Sequence, residues 1–189
     1  MGHSDGLCCM YFDSEMDIEK ATNCLFDAKT NYVSACNSLE TLLIHESVHE
    51  KAGIILAGLI EKKNVEVRAD ERAIKFIKGA IPSNDKDYKT EFLDYKLAVK
   101  TVSNVYEAIE HINEYSSHHT DSIITENDVI LLFITKFMKT TANIFLKNVN
   151  SAGVYLNAST RFADGYRYGK YFDLLINFLR FWSRSWNFN

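Results

Sequence analysis

The fold of this chain is decided by residues 7–45, LCCMYFDSEMDIEKATNCLFDAKTNYVSACNSLETLLIH. The apolar run at 7–12 is typical of a buried strand, and two polar residues end it. Apolar residues then recur at helical spacing, which predicts a helix over 15–29 with acidic residues in its first turns. A polar loop at 30–38 follows, and the apolar run at 39–45 predicts a second strand. The stretch therefore predicts a strand, a helix and a strand in succession.

The same alternation continues along the rest of the chain. Further strands are predicted at 65–68, 97–102, 121–125 and 153–156. Helices are predicted at 48–62, at 71–78, from the N-cap Asn104 to Tyr115, and within 128–149, with a polar connector at 79–94. Strands that alternate with helices of about ten or more residues are typical of crossover units. The sequence therefore predicts an α/β fold with a mostly parallel sheet and flanking helices.

The composition narrows the class of protein. The chain has 189 residues, enough for one domain with a real core or for two small ones. Hydrophobic residues make up 47% and charged residues 24%, which excludes disorder as the global state. The formal net charge of −4 argues against a nucleic-acid-binding surface. No apolar run approaches the roughly 18 residues that span a bilayer, so we expect no membrane span.

The four cysteines argue against a disulfide scaffold. They stand at positions 8, 9, 24 and 36, and adjacent Cys8 and Cys9 do not readily bridge each other. No second pair lies downstream to complete a zinc ribbon, so the pattern favours a reducing compartment. The N-terminus lacks the basic start and apolar stretch of a signal peptide, and it is not Arg-rich like a transit peptide. Cys8, Cys9 and Cys24 fall on predicted regular elements, and we interpret them as packing residues.

Cys36 has a different setting, because it lies in the predicted loop among small and amide residues. A nucleophilic thiol needs access to its substrate and nearby donors for a developing oxyanion. The Asn37 side chain and the backbone N–H of Cys36 are two such donors. A free cysteine is equally a small apolar residue, and packing is the commoner outcome for a lone one. The residues alone leave both interpretations open.

Two adjacent histidines, His118 and His119, precede Thr120 in another predicted loop. A metal site usually takes three or four ligands. The nearest further histidine, His111, lies on a predicted helix, and no cysteine is close in sequence. We therefore predict a hydrogen-bonding or solvated loop and no metal ion.

Three long segments resemble one known family, in the same order along the chain. They are residues 2–45 with ACNSLETLL, 90–126 with SSHHTD, and 148–169 with NASTRFADGYRYG. They resemble γ-glutamyl phosphate reductase (glutamate-5-semialdehyde dehydrogenase), a branch of the aldehyde dehydrogenase superfamily. Within that family they look most like the reductase domain of the animal bifunctional Δ1-pyrroline-5-carboxylate synthase.

The resemblance implies the aldehyde dehydrogenase fold, of which this chain would form the catalytic-domain part. It implies NADPH-dependent reduction of L-glutamyl 5-phosphate to L-glutamate 5-semialdehyde with release of phosphate, in proline and ornithine synthesis. Cys36 would be the nucleophile and form a thioester, which splits one difficult step into two easier ones. Asn37 would help to pose the loop or to bind the oxyanion. Cys9 stands where relatives usually carry His.

The resemblance also implies substrate-binding residues. Ser159, Thr160 and Arg161 follow a predicted strand end, where ligand groups usually lie in an α/β sheet. Arg161 has the fork geometry that binds a carboxylate or phosphate, although a surface ion pair is the commoner role of such a residue. His119 and Thr120 would lie near the pocket and are candidates of second rank.

The chain departs from the family pattern at several places. The resemblance divides it into the end of an NADPH-binding domain at 1–29 and a catalytic domain at 30–169. We interpret 128–139 as an insertion and the aromatic-rich stretch 170–189 as a tail foreign to the family. No G-x-G-x-x-G occurs, so most of the NADPH site is expected outside this chain.

We therefore interpret the chain as a fragment that is weakly active or inactive by itself. The alternative is a non-catalytic piece that keeps the fold for oligomerisation or interaction. The resemblance implies a homo-oligomer for the full-length enzyme. It implies a mitochondrial location if the chain is part of the animal synthase and a cytoplasmic one otherwise.

Overall fold

A computed structural model of the chain describes residues 6–127 and 140–164. Within them, seven strands form one sheet in which every neighbouring pair is parallel. The strands are β1 (Cys8–Phe12), β2 (Leu39–His45), β3 (Glu66–Ala69), β4 (Ile81–Pro82), β5 (Lys96–Val102), β6 (Thr120–Ile124) and β7 (Gly153–Leu156). Their spatial order is β4-β3-β5-β2-β1-β6-β7. The predicted α/β class with a mostly parallel sheet is confirmed.

Helices cover both faces of this sheet in the described part of the chain. They are α1 (Ile18–Thr30), α2 (His49–Lys63), α3 (Val105–Tyr115) and α4 (Thr141–Asn148). Met10 and Phe12 of β1 pack in the core that α1 and α2 cover. Cys9 and Tyr11 pack in the opposite core, under α3 and α4. Because β1 is buried on both faces, its sequence is apolar at every position instead of alternating.

Side-chain caps fix where the helices begin. Asp17 accepts a hydrogen bond from the backbone N–H of Lys20 at 2.8 Å, so α1 starts three residues after the predicted position. Asn104 accepts from the backbone N–H groups of Tyr106 and Glu107 and caps α3, as predicted. The sequence therefore identified the cap of α3 and placed the start of α1 slightly too early.

Two predictions between β3 and β5 were wrong. The predicted helix at 71–78 is only a 3₁₀ helix over Ala73–Phe76, where the Asp70 side chain accepts from the backbone N–H of Ala73 at 2.8 Å. The predicted connector at 79–94 contains β4 and a 3₁₀ helix over Asp87–Lys89. A two-residue strand is too short to show any periodicity. Its proline lacks a backbone donor, which is tolerated on an edge strand.

Several predictions fall partly or wholly outside the described residues. The predicted insertion at 128–139 and the tail at 170–189 both lie outside them. Of the helical material predicted within 128–149, α4 is the described part. β1 and α1 belong to the same sheet and core as the later elements, and the domain boundary after residue 29 stays a prediction. No helix in the described ranges is long and apolar enough to cross a membrane.

Candidate active site

Cys36 lies in the loop that joins α1 to β2, at the edge of the sheet where the parallel strands begin. The loop folds into tight turns, with Ala35 N–H donating to Tyr32 O at 3.3 Å and Ser38 N–H to Ala35 O at 2.8 Å. Tyr32 has a φ of 73°, a left-handed conformation that costs free energy in a non-glycine residue. The Cys36 side chain is exposed, which is the access that a nucleophile requires.

His119 is the histidine that faces this thiol. Its Nε2 lies 3.4 Å from Cys36 Sγ, and its Nδ1 lies 2.7 Å from Thr120 Oγ1. The histidine stands immediately before β6, and β1 separates β6 from β2 in the sheet. Because parallel strands start at the same edge, the loops before β2 and β6 meet there. The structure thus brings together Cys36, His119 and Thr120, with the geometry of a nucleophile beside a base.

The backbone of Cys36 is fixed by the residues that lead into β1. A Cβ atom added to Gly6 would lie 2.0 Å from Cys36 O, so no side chain fits there. The Gly6 N–H donates to Glu91 Oε1 at 2.9 Å. The Cys8 thiol donates to Cys36 O at 3.4 Å. Sequence reasoning missed the role of Gly6, and only the close approach of two backbones reveals it.

Asn37 and Arg161 form a second connection to the loop. Asn37 is buried, its Nδ2 donates to Ala163 O at 3.1 Å, and its Oδ1 accepts from Arg161 Nη1. Arg161 is only 8% exposed, and its Nε donates to Asn31 O at 2.8 Å. The guanidinium therefore bridges the two ends of the segment from Asn31 to Asn37. Its Nη2 lies 3.8 Å from Asp164 Oδ2.

Arg161 reaches this edge because the chain turns back after β7. Asn157 N–H still donates to Ile123 O at 2.9 Å, near the far end of β6, whereas Ala163 contacts Asn37. The segment between them crosses from the carboxyl edge of the sheet to the amino edge. Ser159 Oγ accepts from Arg161 N–H at 3.2 Å, and Thr160 is fully buried. Of the three residues predicted to follow a strand end, Arg161 thus contacts the Cys36 loop, at the opposite edge of the sheet.

Asp121 is a residue that sequence reasoning missed. It is fully buried in β6 and accepts from Cys9 N–H at 2.7 Å, Ser151 Oγ at 2.5 Å and Ser116 Oγ at 3.0 Å. Burial raises the pKa of this carboxyl to about 6, although its hydrogen bonds oppose the shift. Ser116 Oγ in turn accepts from His118 N–H at 3.1 Å, so Asp121 supports the loop that carries His119. An acid in a predicted strand was the available signal.

Neither a metal-ligand group nor a glycine-rich turn after β1 is found in the described residues. No group of three or more His, Cys, Asp or Glu side chains in residues 6–127 and 140–164 is arranged to hold a metal. The turn after β1 contains Asp13, Glu15 and Asp17 and no glycine. A pyrophosphate site needs glycines and backbone N–H groups at a helix start, and acidic side chains repel it.

The comparisons with known proteins bear on this site. No protein-family model matches the chain. The gamma-glutamyl phosphate reductase of Acetivibrio thermocellus is 45% identical over 169 residues, covering 89% of this chain and 36% of that protein. The same enzyme of Nostoc punctiforme is 41% identical, with the same coverage. The chain is homologous to gamma-glutamyl phosphate reductases. It spans about 36% of the length of these curated relatives.

Solved structures agree with this homology. The gamma-glutamyl phosphate reductase of Thermotoga maritima superimposes with a TM-score of 0.79 at 36% identity, covering 88% of this chain and 38% of that one. The Saccharomyces cerevisiae gamma-glutamyl phosphate reductase gives 0.62 at 34% identity, covering 89% and 40%. An acetylating aldehyde dehydrogenase from Geobacillus thermoglucosidasius gives 0.59 at 21% identity, covering 85% and 42%, and shows the fold alone. The resemblance to the reductase family and the aldehyde dehydrogenase fold are thus confirmed.

Proposed function

We propose that this chain carries the nucleophilic half of gamma-glutamyl phosphate reductase chemistry. The observation that carries the proposal is the exposed Cys36 thiol held 3.4 Å from His119 Nε2, in a chain homologous to that enzyme. The electrophile is the acyl carbon of L-glutamyl 5-phosphate, because an acyl phosphate has a good leaving group for attack by a thiolate. An activated cysteine beside a base is the arrangement that such acyl transfer requires.

In the proposed step, His119 Nε2 takes the proton of the Cys36 thiol. With Nδ1 protonated and donating to Thr120 Oγ1, the lone pair of the imidazole lies on Nε2. A bond forms between Sγ and the acyl carbon. The bond from that carbon to the phosphate oxygen breaks, and inorganic phosphate leaves with the electron pair. The product is a thioester on Cys36, and neither oxidant nor reductant is consumed.

Asn37 and Arg161 support this step by fixing the loop. Both polar ends of the Asn37 side chain bond to protein groups, which favours posing of the loop over binding of the oxyanion. The backbone N–H of Cys36 is the donor that we propose for the oxyanion. Substrate contacts by Ser159, Thr160, Arg161, His119 and Thr120 stay predictions.

Reduction of the thioester with NADPH stays a prediction. The turn after β1 has acidic side chains and no glycine, so it does not provide the cradle that a pyrophosphate needs. The homo-oligomer and the cytoplasmic or mitochondrial location, both implied by the resemblance, also stay predictions. The alternative of a non-catalytic fragment is separated from the proposed function by whether Cys36 becomes acylated.

The test is acylation of the full 189-residue chain by L-glutamyl 5-phosphate, generated in situ from L-glutamate and ATP by an added glutamate kinase. After an acid quench, mass spectrometry of the peptides should find the glutamyl group on Cys36. The Cys36→Ser variant should lack the adduct, and the matched Cys24→Ser variant should keep it. No adduct, or an equal adduct on Cys24, would overturn the proposal and favour the non-catalytic alternative.

A further inference from the structure

Lys29 and Glu40 form an ion pair deep inside the protein. Both side chains are 0% exposed, and Lys29 Nζ lies 3.0 Å from Glu40 Oε2. The same ammonium donates to Leu39 O at 2.8 Å. Removing two opposite charges from water is costly, and apolar residues of similar size often stabilise a protein as well or better. The pair therefore needs an explanation other than stability.

The ion pair between these two residues connects the two ends of the loop that carries Cys36. Lys29 lies in the last turn of α1, and Glu40 is the second residue of β2. All residues of the loop, Asn31 to Ser38, lie between them in the chain. The ion pair and the bond to Leu39 O thus fix the distance and direction between the helix end and the strand start.

Glu40 also holds the segment 91–93, which contacts Cys36 through Gly6. Its Oε1 accepts from Leu93 N–H at 3.2 Å, and Leu93 has a left-handed φ of 51°. Two residues earlier, Glu91 accepts from Gly6 N–H. The backbone of Gly6 is in close contact with the backbone of Cys36. One buried carboxylate therefore connects to Cys36 by two routes, along the loop and through Glu91 and Gly6.

We propose that Lys29 and Glu40 are positioning residues that hold the loop so that Cys36 Sγ faces His119 Nε2. The inference rests on the proposed function of Cys36, and the pair acts through the loop and not on the substrate. Its task is preorganisation, because a nucleophile displaced by about 1 Å can lose a hundredfold in rate.

The test compares the pH profile of Cys36 alkylation by iodoacetamide in the wild-type chain and three variants. The first is Lys29→Met/Glu40→Met, which replaces the pair by apolar side chains. The second, His119→Ala, removes the base. The matched control is Lys20→Met/Glu126→Met, because Lys20 of α1 pairs with Glu126 at 2.7 Å with side chains 49% and 47% exposed.

We expect Lys29→Met/Glu40→Met to remain folded, because removal of two buried charges offsets the loss of the bonds to Leu39 O and Leu93 N–H. Its Cys36 rate near neutral pH should fall about tenfold, and its pH profile should match that of His119→Ala. A merely structural pair would leave that profile unchanged in a folded variant. The control pair should leave both the thermal midpoint and the profile as in wild type.

Failure of the inference and of the proposed function are distinguishable. If Lys29→Met/Glu40→Met keeps the wild-type profile while His119→Ala loses it, the positioning role is wrong and the proposed function stands. If His119→Ala also keeps the wild-type profile, the assignment of His119 as the base fails and the positioning role fails with it. The proposed function itself fails only if Cys36 is not acylated by L-glutamyl 5-phosphate. Should the double variant not fold, Glu40→Gln keeps an acceptor for Leu93 N–H and removes the charge. A wild-type profile in that variant would overturn the positioning role.

Discussion

The Sγ atom of Cys36 lies 3.4 Å from Nε2 of His119, although 83 residues separate them in the chain. The contact exists because β2 and β6 are the two neighbours of β1 in the parallel sheet. The loops that precede β2 and β6 therefore meet at the edge where these strands begin. Cys36 is the exposed cysteine, whereas Cys24 is half-buried and Cys8 and Cys9 are buried.

Cys36 should be the first cysteine to react with iodoacetamide, followed by Cys24 and then by Cys8 and Cys9. Burial raises the pKa of Cys24 to about 11, and it raises the pKa of Cys8 and Cys9 well above the usual range. The thiolate is the reactive form, so each of these shifts slows alkylation near neutral pH. Peptide mass spectrometry over a time course gives the order. Equal rates for Cys36 and Cys24 would contradict the assignment of Cys36 as the activated thiol.

Gly6→Ala should destabilise the chain and slow alkylation of Cys36. The new Cβ would meet the Cys36 backbone at 2.0–2.6 Å, so one of the two segments must move. We expect a loss of roughly 1–3 kcal/mol in the free energy of unfolding, typical of overpacking. Unfolding in urea measures this loss, by comparing wild type, Gly6→Ala and the control variant Gly58→Ala.

Gly58→Ala is the matched control for this substitution. Its Cβ would have Phe26 Cζ as nearest neighbour at 4.0 Å, so it fits without movement. Gly58 lies inside α2, where alanine is favoured over glycine by roughly 0.5–1 kcal/mol. The two substitutions should therefore have opposite signs. A neutral Gly6→Ala would show that the backbone contact does not constrain Cys36.

Arg161→Lys should not preserve the Cys36 loop, although it keeps the charge. A lysine cannot bond to Asn31 O and Asn37 Oδ1 with two nitrogens of one rigid plane. A buried acceptor would lose its partner, at a cost of about 1–3 kcal/mol in the free energy of unfolding. Acylation of Cys36 should fall as well.

The control for that substitution is Arg72→Lys. Arg72 is 46% exposed, and its nearest carboxylate oxygens lie 3.9–4.0 Å away. It donates through Nη2 to Thr101 O at 2.6 Å, a single bond that a lysine can also make, so we expect a change below about 1 kcal/mol. Equal effects of the two substitutions on stability and on acylation would argue against a specific role of Arg161 in the loop.

Stability should fall as pH rises through the range in which Asp121 titrates. Burial raises the pKa of Asp121 from 3.8 to about 6, so between these values the folded state binds more protons than the unfolded state. The contribution of this group is complete below the unfolded pKa and is lost as pH rises through the folded pKa. The contribution of Asp121 to the free energy of unfolding should therefore decrease, by at most about 1.4 kcal/mol per pH unit between about pH 4 and 6. Burial likewise raises the pKa of Glu40, to about 7, so that Glu40 adds a slope of the same sign.

Asp121→Asn tests this titration directly. The amide keeps an acceptor for Cys9 N–H and cannot ionise, so the decrease in stability with pH in that window should be smaller than in wild type. Urea unfolding of wild type and variant at pH 4, 5, 6 and 7 gives both slopes. An unchanged slope would assign the pH dependence to other groups.

Local sequence predicted the strands that consist mainly of apolar residues. The run at 39–45 matches β2 because six of its seven residues are buried, and the run at 153–156 matches β7. The helix predicted at 71–78 failed because Ile77 adopts an extended conformation, with φ −112° and ψ 97°, and ends the element after one 3₁₀ turn over Ala73–Phe76. This ending leaves no mark in the periodicity of the sequence.

The site was predictable as a set of residues and not as an arrangement. Cys36 and Asn37 stand out by their loop, but their contacts with His119 and Arg161 depend on the strand order β2-β1-β6 and on the reversal after β7. Periodicity fixes neither of these. Glu40 inside the apolar strand LETLLIH was a signal that a buried acid needs a partner.

The span of these contacts has a consequence for how the site assembles during synthesis. Asn37 meets Arg161 across 124 residues, and Cys36 meets His119 across 83, so both contacts have high contact order. On the ribosome, the thiol emerges long before the imidazole and the guanidinium that complete its surroundings. We therefore expect fast alkylation of Cys36 to appear only after the segments that carry His119 and Arg161 have joined the fold.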